Sequence, residues 1–402
     1  MDNKTATVIL GAGFGGLRAA MILAKRNHPV ILIDKNNYHT YTPILYELSV
    51  ISKALANNCD LRSIASFPIS DLISGLPISF INDEVTNIDI NNNEVILADQ
   101  KIPYKNLILA LGSETNYYNI PGLKENSLSL KSFLDAMKIR DEISSASFFE
   151  SKKPTLIIGG GGSTGVELAG EIQLAGLANV MIIQRPPNIL EGFNDKLKNW
   201  AEKRLGRLGV RIILDTIIEV KAAPADGQNK KVILKNSGET DFDFLIWTGG
   251  IKSNSLIEKI DLKKDEYGHL IITKDMKCRP TENIYAIGDM VCLHKNDDKI
   301  VPCLAQSAIE EGTVAAKNIL RQAQDKFSAS YEYKEKEYPY ILPVGGKYAI
   351  FQYKNFVIDG LIAWILKGLV ELNYLIKIMP FFKAFRIWFK GLKIFLQNEG
   401  LG

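Results

Sequence analysis

Two stretches of this chain repeat one pattern of strand, glycine-rich turn, helix and second strand. The first copy has an apolar strand at residues 6–10, the turn Gly11-Ala12-Gly13-Phe14-Gly15-Gly16, a helix-like run through Ala24 and a strand at 30–33 that ends in Asp34. The second copy has a strand at 155–158, a turn from Gly160 to Gly165, a helix-like run through Ala178 and a strand at 180–183 that ends in Gln184. Each copy predicts a βαβ unit with parallel strands, so we expect an α/β fold with two Rossmann-like domains.

The glycine spacing in these turns indicates dinucleotide binding. In the first copy, Gly11 permits the tight turn, Gly13 lets a pyrophosphate approach the backbone, and Gly16 lets helix and strand pack closely. The free N–H groups of the helix N-terminus favour phosphate, and Asp34 stands where a carboxylate accepts hydrogen bonds from a ribose. Two such turns in one chain predict two bound dinucleotides.

The second copy departs from the pattern at its strand end, where Gln184-Arg185 replaces an acid. A carboxylate at this place binds the ribose hydroxyls of NADH and repels the 2′-phosphate of NADPH. Gln184 removes that repulsion, and Arg185 is able to pair with the phosphate unless its side chain points to solvent. The sequence therefore predicts some use of NADPH beside NADH.

Composition excludes several other classes of protein. The 402 residues carry a net charge of +3 and allow two or three domains, and nothing in this balance favours nucleic acid as a partner. The four cysteines form no C-x-x-C pair, so we expect free thiols that are mostly buried. We expect no signal peptide and no membrane-spanning helix, because the longest apolar candidate, residues 356–378, is interrupted by charges. Any membrane contact is therefore predicted to be peripheral.

Two further motifs follow the second βαβ unit. Gly288-Asp289 ends an apolar strand, where an acid is able to bind a ribityl chain. Ala305-Gln306 begins a helix-like run to Leu320, whose N-terminus either faces a flavin pyrimidine or is a simple capping turn. The polar stretch 322–333 resembles a linker, and the spacing after it predicts helices.

These motifs together resemble those of the type II NADH:quinone oxidoreductases, and the likeness covers nearly the whole chain. The stretches that carry the resemblance are Gly11–Gly16, Tyr41-Thr42-Pro43-Ile44-Leu45-Tyr46-Glu47, GGGSTGVELAGE from Gly160 to Glu171, Trp247-Thr248-Gly249-Gly250, Ala286-Ile287-Gly288-Asp289, Ala305-Gln306 with Glu311-Gly312, Gly345–Ala349 and Gly360–Lys367. Gln184 is the main departure, because an acid is usual there.

The resemblance implies that the first Rossmann-like domain binds non-covalent FAD and that the second, inserted within it, binds NADH or NADPH. It implies an FAD domain at 1–115 and 256–330, a nucleotide domain at 116–255 and a membrane-associating section at 331–402. It further implies a membrane quinone as acceptor, a homodimer, the cytoplasmic face of the membrane and no metal.

The residues implied to act in catalysis are Gln306, Lys367 and Glu167. Those implied to bind cofactors are Gly11, Gly13, Phe14, Gly15, Gly16, Asp34, Lys35, Pro43, Val85, Ala110, Gly112, Gly160, Gly162, Thr164, Gly165, Glu167, Gln184, Arg185, Gly249, Gly250, Gly288, Asp289, Ala305 and Gln306.

Other classes of protein share parts of this pattern. A sulfide:quinone oxidoreductase needs cysteines beside the flavin, but no cysteine lies between Cys59 and Cys278 or after Cys303. A disulfide reductase needs a cysteine pair after the first βαβ unit, and residues 38–48 contain none. A soluble ferredoxin reductase or peroxidase relative is expected to end in a compact β-rich dimerisation domain, against which the aromatic, basic tail argues. A soluble NAD(P)H-dependent flavin reductase is a further alternative. A non-enzymatic flavin sensor is disfavoured by two intact glycine turns.

The C-terminal residues predict an amphipathic helix that begins after Pro380 and lies in a membrane surface. Its apolar stripe is Phe381, Phe382, Phe385, Trp388, Phe389, Leu392, Phe395 and Leu396, and its basic face is Lys383, Arg386, Lys390 and Lys393. The alternative is a helix that docks on the protein core or on a second subunit.

Overall fold

The computed structural model describes residues 6–149, 153–223, 229–292, 304–324, 330–334 and 336–398. The strands, in chain order, are β1 Thr7–Leu10, β2 Val30–Asp34, β3 Tyr38–Thr40, β4 Ser66–Pro68, β5 Ile78–Asn82, β6 Asn87–Asp89, β7 Glu94–Ile96, β8 Lys101–Pro103, β9 Asn106–Leu109, β10 Ser113–Thr115, β11 Thr155–Gly159, β12 Asn179–Gln184, β13 Arg211–Leu214, β14 Ile217–Lys221, β15 Lys230–Leu234, β16 Gly238–Phe242, β17 Phe244–Trp247, β18 Ile251–Ser253, β19 Leu270–Ile271, β20 Ile284–Ala286, β21 Val291–Cys292, β22 Tyr340–Pro343, β23 Ala349–Tyr353 and β24 Phe356–Gly360.

The helices, in chain order, are α1 Phe14–Ala24, α2 Leu45–Leu48, α3 Asn58–Ala65, α4 Ile69–Leu72, α5 Leu123–Asn126, α6 Phe133–Phe149, α7 Ser163–Leu174, α8 Asp195–Leu208, α9 Ser255–Glu258, α10 Ala305–Gln322, α11 Leu361–Ile378 and α12 Phe381–Asn398, with a 3-10 helix at Thr42–Ile44. The chain divides into two units. The described residues of the first lie within Met1–His39, Phe67–Glu114 and Ile251–Lys336, and those of the second within Thr40–Ser66, Thr115–Gly250 and Glu337–Gly402.

The first unit is built on a five-stranded sheet in the order β20-β9-β1-β2-β5. Its strands run parallel, with Thr7 opposite both Val30 and Asn106. The strands β1 and β9 are buried along their whole length, which explains their continuous apolar sequence, since helices cover both faces of such a sheet. Helices α1 and α10 pack against each other where Gly15 meets Ala308 and Gly312 meets Gly15. This sheet is the first predicted βαβ unit with further strands added.

The second unit contains a four-stranded parallel sheet in the order β13-β12-β11-β17. A three-stranded antiparallel meander, β14-β15-β16, follows along the chain. The meander and the sheet share one apolar core that includes Ile157, Met181, Val232, Phe242 and Trp247. The mixed α/β class with two dinucleotide-type sheets is as the sequence predicts.

The prediction that everything after the linker is helical is wrong up to residue 360. Residues 340–360 form a three-stranded antiparallel sheet, β22-β23-β24, in which Tyr353 pairs with Phe356 across the two-residue turn Lys354-Asn355. Short aromatic and β-branched runs on either side of a tight turn favour a hairpin over a helix. Helices α11 and α12 then follow, and α12 begins at Phe381 as predicted. In the described part of the chain, no helix combines the length and apolar character needed to cross a bilayer.

Candidate flavin, nucleotide and quinone sites

The first glycine turn joins β1 to α1 in the first unit. Gly11 has a φ of +102°, and its N–H donates to the Ile33 carbonyl at 2.8 Å. A Cβ placed on Gly16 would overlap the Gly11 carbonyl oxygen, so helix and turn are in direct contact. Gly13 is different, because no described residue other than its chain neighbours has an atom within 4 Å of where its Cβ would stand. The backbone before α1 is therefore open to an approaching phosphate.

Asp34 fastens this turn to the end of β2. Its Oδ2 accepts from Ala12 N–H at 2.7 Å, and its Oδ1 accepts from Asn36 N–H at 2.8 Å. Burial raises the pKa of Asp34, opposed by the Ala12 and Asn36 hydrogen bonds and by Lys35. The carboxylate lies at the strand end where a ribose is expected.

The second glycine turn has the same construction in the second unit. Gly160 has a φ of +111°, and its N–H donates to the Ile183 carbonyl at 2.9 Å. A Cβ on Gly165 would overlap the Gly160 carbonyl oxygen, whereas the Cβ position of Gly162 has no atom within 4 Å. The two turns thus share a buried glycine contact and an open glycine before the helix, which is a cradle that a pyrophosphate fits.

Gln184 fills the place that Asp34 has in the first unit. Its Oε1 accepts from Gly161 N–H at 2.7 Å, and its Nε2 donates to the Arg185 carbonyl at 2.9 Å. The Arg185 residue is exposed at the strand end. The strand end therefore carries no negative charge.

Aromatic rings contact the glycines that follow β17 in the second unit. A Cβ on Gly249 would overlap the Trp247 ring, and one on Gly250 would overlap the Tyr118 hydroxyl. Trp247 Nε1 donates to the Asn116 carbonyl at 2.7 Å. Thr248 Oγ1 donates to the Gly160 carbonyl at 3.0 Å, which joins this segment to the glycine turn.

Gly288-Asp289 and the start of α10 come together in the first unit. Asp289 Oδ2 accepts from Ser113 Oγ at 2.8 Å, and Glu311 Oε2 accepts from Gly288 N–H at 2.6 Å. Burial raises the pKa of Glu311 to about 7, with the Gly288 bond lowering it and Asp289 raising it. Gln306 is half-buried at the second position of α10.

The other predicted cofactor contacts are distributed over both units. Phe14 packs edge-on against His39, with ring centroids 5.2 Å apart, and Ala110 N–H donates to the Leu10 carbonyl at 2.9 Å. Gly15 is buried against α10. The positions of the rest are an exposed Lys35, a half-buried Val85 between β5 and β6, Gly112 just after β9, Thr164 in α7, Ala305 at the start of α10, and an exposed Pro43 in the second unit.

Lys367 takes part in a buried ion pair in the second unit. Its Nζ pairs with Glu47 Oε2, and the two side chains are 15% and 6% exposed. The ammonium also lies 5.1 Å from the centre of the Tyr46 ring and 5.7 Å from that of Phe395. The sequence prediction named Lys367 as a site residue but missed Glu47, although Glu47 is the last residue of the Tyr41–Glu47 motif.

The charges of Lys367 and Glu47 affect the pKa values of both Glu167 and Glu371. Burial raises the pKa of Glu167 to about 8, with Lys367 lowering it and Glu47 raising it. The same three causes raise the pKa of Glu371 to about 8. The Tyr46 hydroxyl is buried and has no hydrogen-bond partner among the described residues. Glu371 was missed because only its spacing of four residues from Lys367 pointed to it.

The C-terminal helix docks on the protein along one side. Trp388 Nε1 donates to the Gly368 carbonyl at 2.8 Å, Leu392 packs against the apolar cluster of Ala349, Ala363 and Trp364, and Phe395 is buried. The prediction of one lipid-facing stripe is wrong for these three residues, because the helix uses them to pack on the core. The exposed apolar residues of α11 and α12 are Leu361, Ile362, Ile365, Leu369, Val370, Ile376, Phe381, Phe382, Phe385, Phe389 and Leu396.

One cation of α12 is also bound by the protein. Lys390 Nζ donates to Asp60 Oδ1 at 2.8 Å and to Ser63 Oγ at 3.0 Å, both on α3. Among the cysteines, Cys278 is buried and Cys59 is exposed, so the prediction of buried thiols holds for only one of these two. Burial raises the pKa of Cys278 to about 12. The thiol of Cys292 and the whole of Cys303 lie outside what the structure describes.

Comparison with known proteins places these features in a family. The sequence model of the pyridine nucleotide-disulphide oxidoreductases matches residues 5–312. A demethylphylloquinone reductase of Synechocystis is 28% identical over 334 residues, which cover 79% of this chain and 80% of that protein. A type II NADH:quinone oxidoreductase of Haemophilus influenzae is 24% identical over 376 residues, which cover 82% and 83%.

A solved structure extends the likeness to the fold of nearly the whole chain. NDH2 from Plasmodium falciparum, in complex with NADH, is 18% identical, with a TM-score of 0.83 over 99% of this chain and 98% of that one. The predicted resemblance to type II NADH:quinone oxidoreductases is thus confirmed, and the chain belongs to the pyridine nucleotide-disulphide oxidoreductase family.

Proposed function

We propose that this chain is a peripheral membrane flavoenzyme that oxidises NADH, and to a lesser degree NADPH, and reduces a membrane quinone. The observation that carries the proposal is the pair of glycine turns, each open at the residue before its helix and each fastened to a strand end. Relatives named type II NADH:quinone oxidoreductase support the same reaction.

In this proposal, the turn Gly11–Gly16, Asp34 and Asp289 hold FAD without a covalent bond. When bound, FAD would supply the redox chemistry that links a two-electron donor to the quinone. The protein's own part is to position the phosphates at the N-terminus of α1 and the ribose at Asp34. Gln306, at the start of α10, is proposed to face the flavin.

The nicotinamide nucleotide is proposed to bind the second turn. Gly162 leaves the backbone open to its pyrophosphate, and Gln184 meets its adenosine ribose without a negative charge. NADPH is therefore not repelled at this strand end, and the exposed Arg185 supports that use.

The quinone is proposed to be reduced beside Lys367 and Glu167. The ammonium is held by Glu47 and the faces of Tyr46 and Phe395, so it is fixed before a substrate arrives. Glu167 keeps its proton at neutral pH, because burial raises its pKa to about 8. A fixed cation and a neutral acid suit an oxygen that gains negative charge during reduction.

Steady-state activity tests the function directly. The purified protein, replete with FAD, is assayed with NADH and NADPH against a short-chain quinone, and acid or heat is expected to release free FAD. Flavin that stays with the precipitate would contradict non-covalent binding, and an unbleached flavin band after NADH addition would contradict the enzyme. The homodimer expected from the resemblance stays a prediction, which light scattering of the purified protein checks.

The proposed membrane surface is the exposed apolar side of α11 and α12, with Phe382 85% exposed. Aromatic rings on one side of a helix and cations beside them favour the headgroup boundary of a bilayer. The cytoplasmic face follows from the resemblance and is part of the proposal.

Serine replacement of Phe381, Phe382, Phe385 and Phe389 tests this surface without uncovering the docked side of α12. We expect the variant to leave anionic vesicles, to keep its flavin and its bleaching by NADH, and to lose more activity with a long-chain quinone than with a soluble one. The matched control replaces four other exposed apolar residues of the second unit, Leu134, Leu174, Leu214 and Ile218. Sedimentation of the phenylalanine variant with vesicles at the level of the control would contradict the surface.

A further inference from the structure

In the described part of the chain, the cluster around Lys367 contains more carboxyl groups than Lys367 neutralises. Glu47 on α2 takes the ion pair, and Glu371 lies one helical turn beyond Lys367 on the same helix. Glu371 is 6% exposed, so its carboxyl is removed from bulk water. The pair Lys367–Glu47 has no net charge, which leaves Glu371 without a cation of its own among the described residues.

A second buried carboxylate beside a neutralised lysine is energetically unfavourable, because its charge has neither water nor a counterion. Lys367 from its own helix and Glu47 from α2 act on the pKa of Glu371, and the charge of Glu371 in turn raises the pKa values of Tyr46 and Tyr41. Of these only Lys367 is positive, and it is already paired. Burial is the largest cause and raises the pKa of Glu371 to about 8, Lys367 lowers it, and Glu47 raises it.

We propose that Glu371 is a neutral carboxylic acid in the resting protein and supplies a proton to the Lys367 cluster when the quinone is reduced. The inference rests on the proposed function. Glu47 has a separate role, because its ion pair positions Lys367.

The stoichiometry requires one such proton. NADH, a quinone and one proton give NAD⁺ and a quinol, and the two electrons and one hydrogen of the quinol originate in the hydride of NADH. The other hydrogen arrives as a proton. In this step the O–H bond of Glu371 breaks, its electron pair stays on the carboxylate, and an O–H bond forms on the reduced quinone through the cluster. Water then returns a proton to Glu371.

The pH profile of quinone reduction separates this role from a structural one. Glu167 and Glu371 both lose their protons near pH 8. We therefore expect the basic limb of kcat to fall more steeply in the wild type than a single ionisation allows. In Glu371→Gln, the limb becomes shallower and kcat falls about tenfold or more. Bleaching of the flavin by NADH is expected to stay unchanged.

Glu171→Gln is the matched control, because it makes the same chemical change in a buried glutamate of α7. Its carboxylate accepts from Gly346 N–H at 3.1 Å, which an amide oxygen is also able to do. We expect the slope of the basic limb in this variant to match the wild type. An unchanged slope and kcat in Glu371→Gln would overturn the inference, as would the same loss in both variants.

Thermal unfolding gives a second reading that needs no turnover. The pKa of Glu371 is about 8 in the folded chain and about 4.5 in the unfolded chain. Between these values the unfolded chain binds fewer protons than the folded chain. The free energy of unfolding therefore falls as the pH rises from about 4.5 to about 8. Glutamine mimics the neutral acid and removes this loss. The Tm of the wild type is expected to fall relative to that of Glu371→Gln across this interval, and parallel curves would contradict a buried proton.

Failure of the function and failure of the inference are distinguishable. A wild type that does not reduce quinones with NADH refutes the proposed function, while the unfolding curves still report on Glu371. If Glu371→Gln does not retain flavin, Glu371→Met, an apolar side chain of similar length, is tested in the same assays. A methionine variant with wild-type kcat and slope overturns the inference.

Discussion

The two glycine turns are fastened to their strand ends by the same hydrogen bond, with a carboxylate in the first unit and an amide in the second. Ala12 N–H donates to Asp34 at 2.7 Å, and Gly161 N–H donates to Gln184 at 2.7 Å. The remaining oxygen of Asp34 accepts from Asn36 N–H, whereas the remaining Nε2 of Gln184 donates to a carbonyl. The turn needs a hydrogen-bond acceptor at the strand end, but this acceptor need not be charged. A charged or a neutral acceptor at this position is therefore able to select between ligands.

The backbone carbonyl groups of Ala12 and Gly161 accept different hydrogen bonds. His39 Nδ1 lies 2.9 Å from the Ala12 carbonyl, while the Gly161 carbonyl accepts from the backbone N–H of Leu190 at 2.8 Å. The Ala12 carbonyl is therefore held by an ionisable ring, and the Gly161 carbonyl by a backbone N–H. Three experiments sharpen these contrasts, beginning with the largest expected effect.

Valine at Gly13 or Gly162 is expected to empty one site and spare the other. No atom lies within 4 Å of either Cβ position, so each variant should fold, but the side chain occupies the space of a pyrophosphate. We expect Gly13→Val to be purified almost without flavin. We expect Gly162→Val to keep its flavin and to be reduced by NADH at least 100-fold more slowly, measured by the absorbance of the flavin band. Loss of flavin from both variants would show that the two sites are not separate.

Charge at the second strand end is expected to set the choice of nucleotide. Gln184→Glu keeps an oxygen for Gly161 N–H but adds a negative charge beside the 2′-phosphate position. The ratio of kcat/KM for NADH over NADPH should rise by roughly 1–3 kcal/mol, which is about 5- to 150-fold. Asp34→Asn is the matched control in the first unit and should leave this ratio unchanged. A constant ratio in Gln184→Glu would mean that the strand end does not contact the ribose.

Acid is expected to weaken the first turn more than the second. Burial lowers the pKa of His39 to about 4, and its bond to Ala12 raises it. The unfolded chain then binds more protons between pH 6.5 and 4, so stability present at neutral pH is lost as the pH falls. The loss at pH 5 is about 1–2 kcal/mol. His39→Gln keeps a donor for Ala12 and should retain flavin more evenly between pH 7 and 5, measured by released flavin fluorescence. Equal release from both proteins at pH 5 would contradict this effect of His39.

Both βαβ units were predictable because their signals are local. Each unit places a strand, an open turn and a helix within 30 residues of one another. Helix α1 ends at Ala24, as predicted. The acceptor at each strand end was also predictable, since strand and turn meet at the same edge of the sheet. The short sheet at residues 340–360 was not, because its aromatic runs are also compatible with helical spacing and only the turn at Lys354 distinguishes the two.

The contacts of Lys367 could not be predicted from the sequence for another reason. Its partner Glu47 is 320 residues away along the chain, and no local pattern joins the two. The same holds for the side of α12 that docks. Periodicity revealed an apolar stripe, but only tertiary packing divides it between the buried Phe395 and the exposed Phe389.

The contact between Lys390 and Asp60 has a consequence for ionic strength. A cation near an anionic bilayer contributes about 1 kcal/mol of attraction, which added salt screens within about 10 Å at 0.1 M. Lys390 already has a carboxylate partner on α3, so it adds less to this attraction than its position on α12 suggests. Adhesion of the helix should then rest more on its exposed phenylalanines than on its lysines. The proposed membrane surface is therefore expected to keep the protein on vesicles in concentrated electrolyte and to be released more readily by detergent.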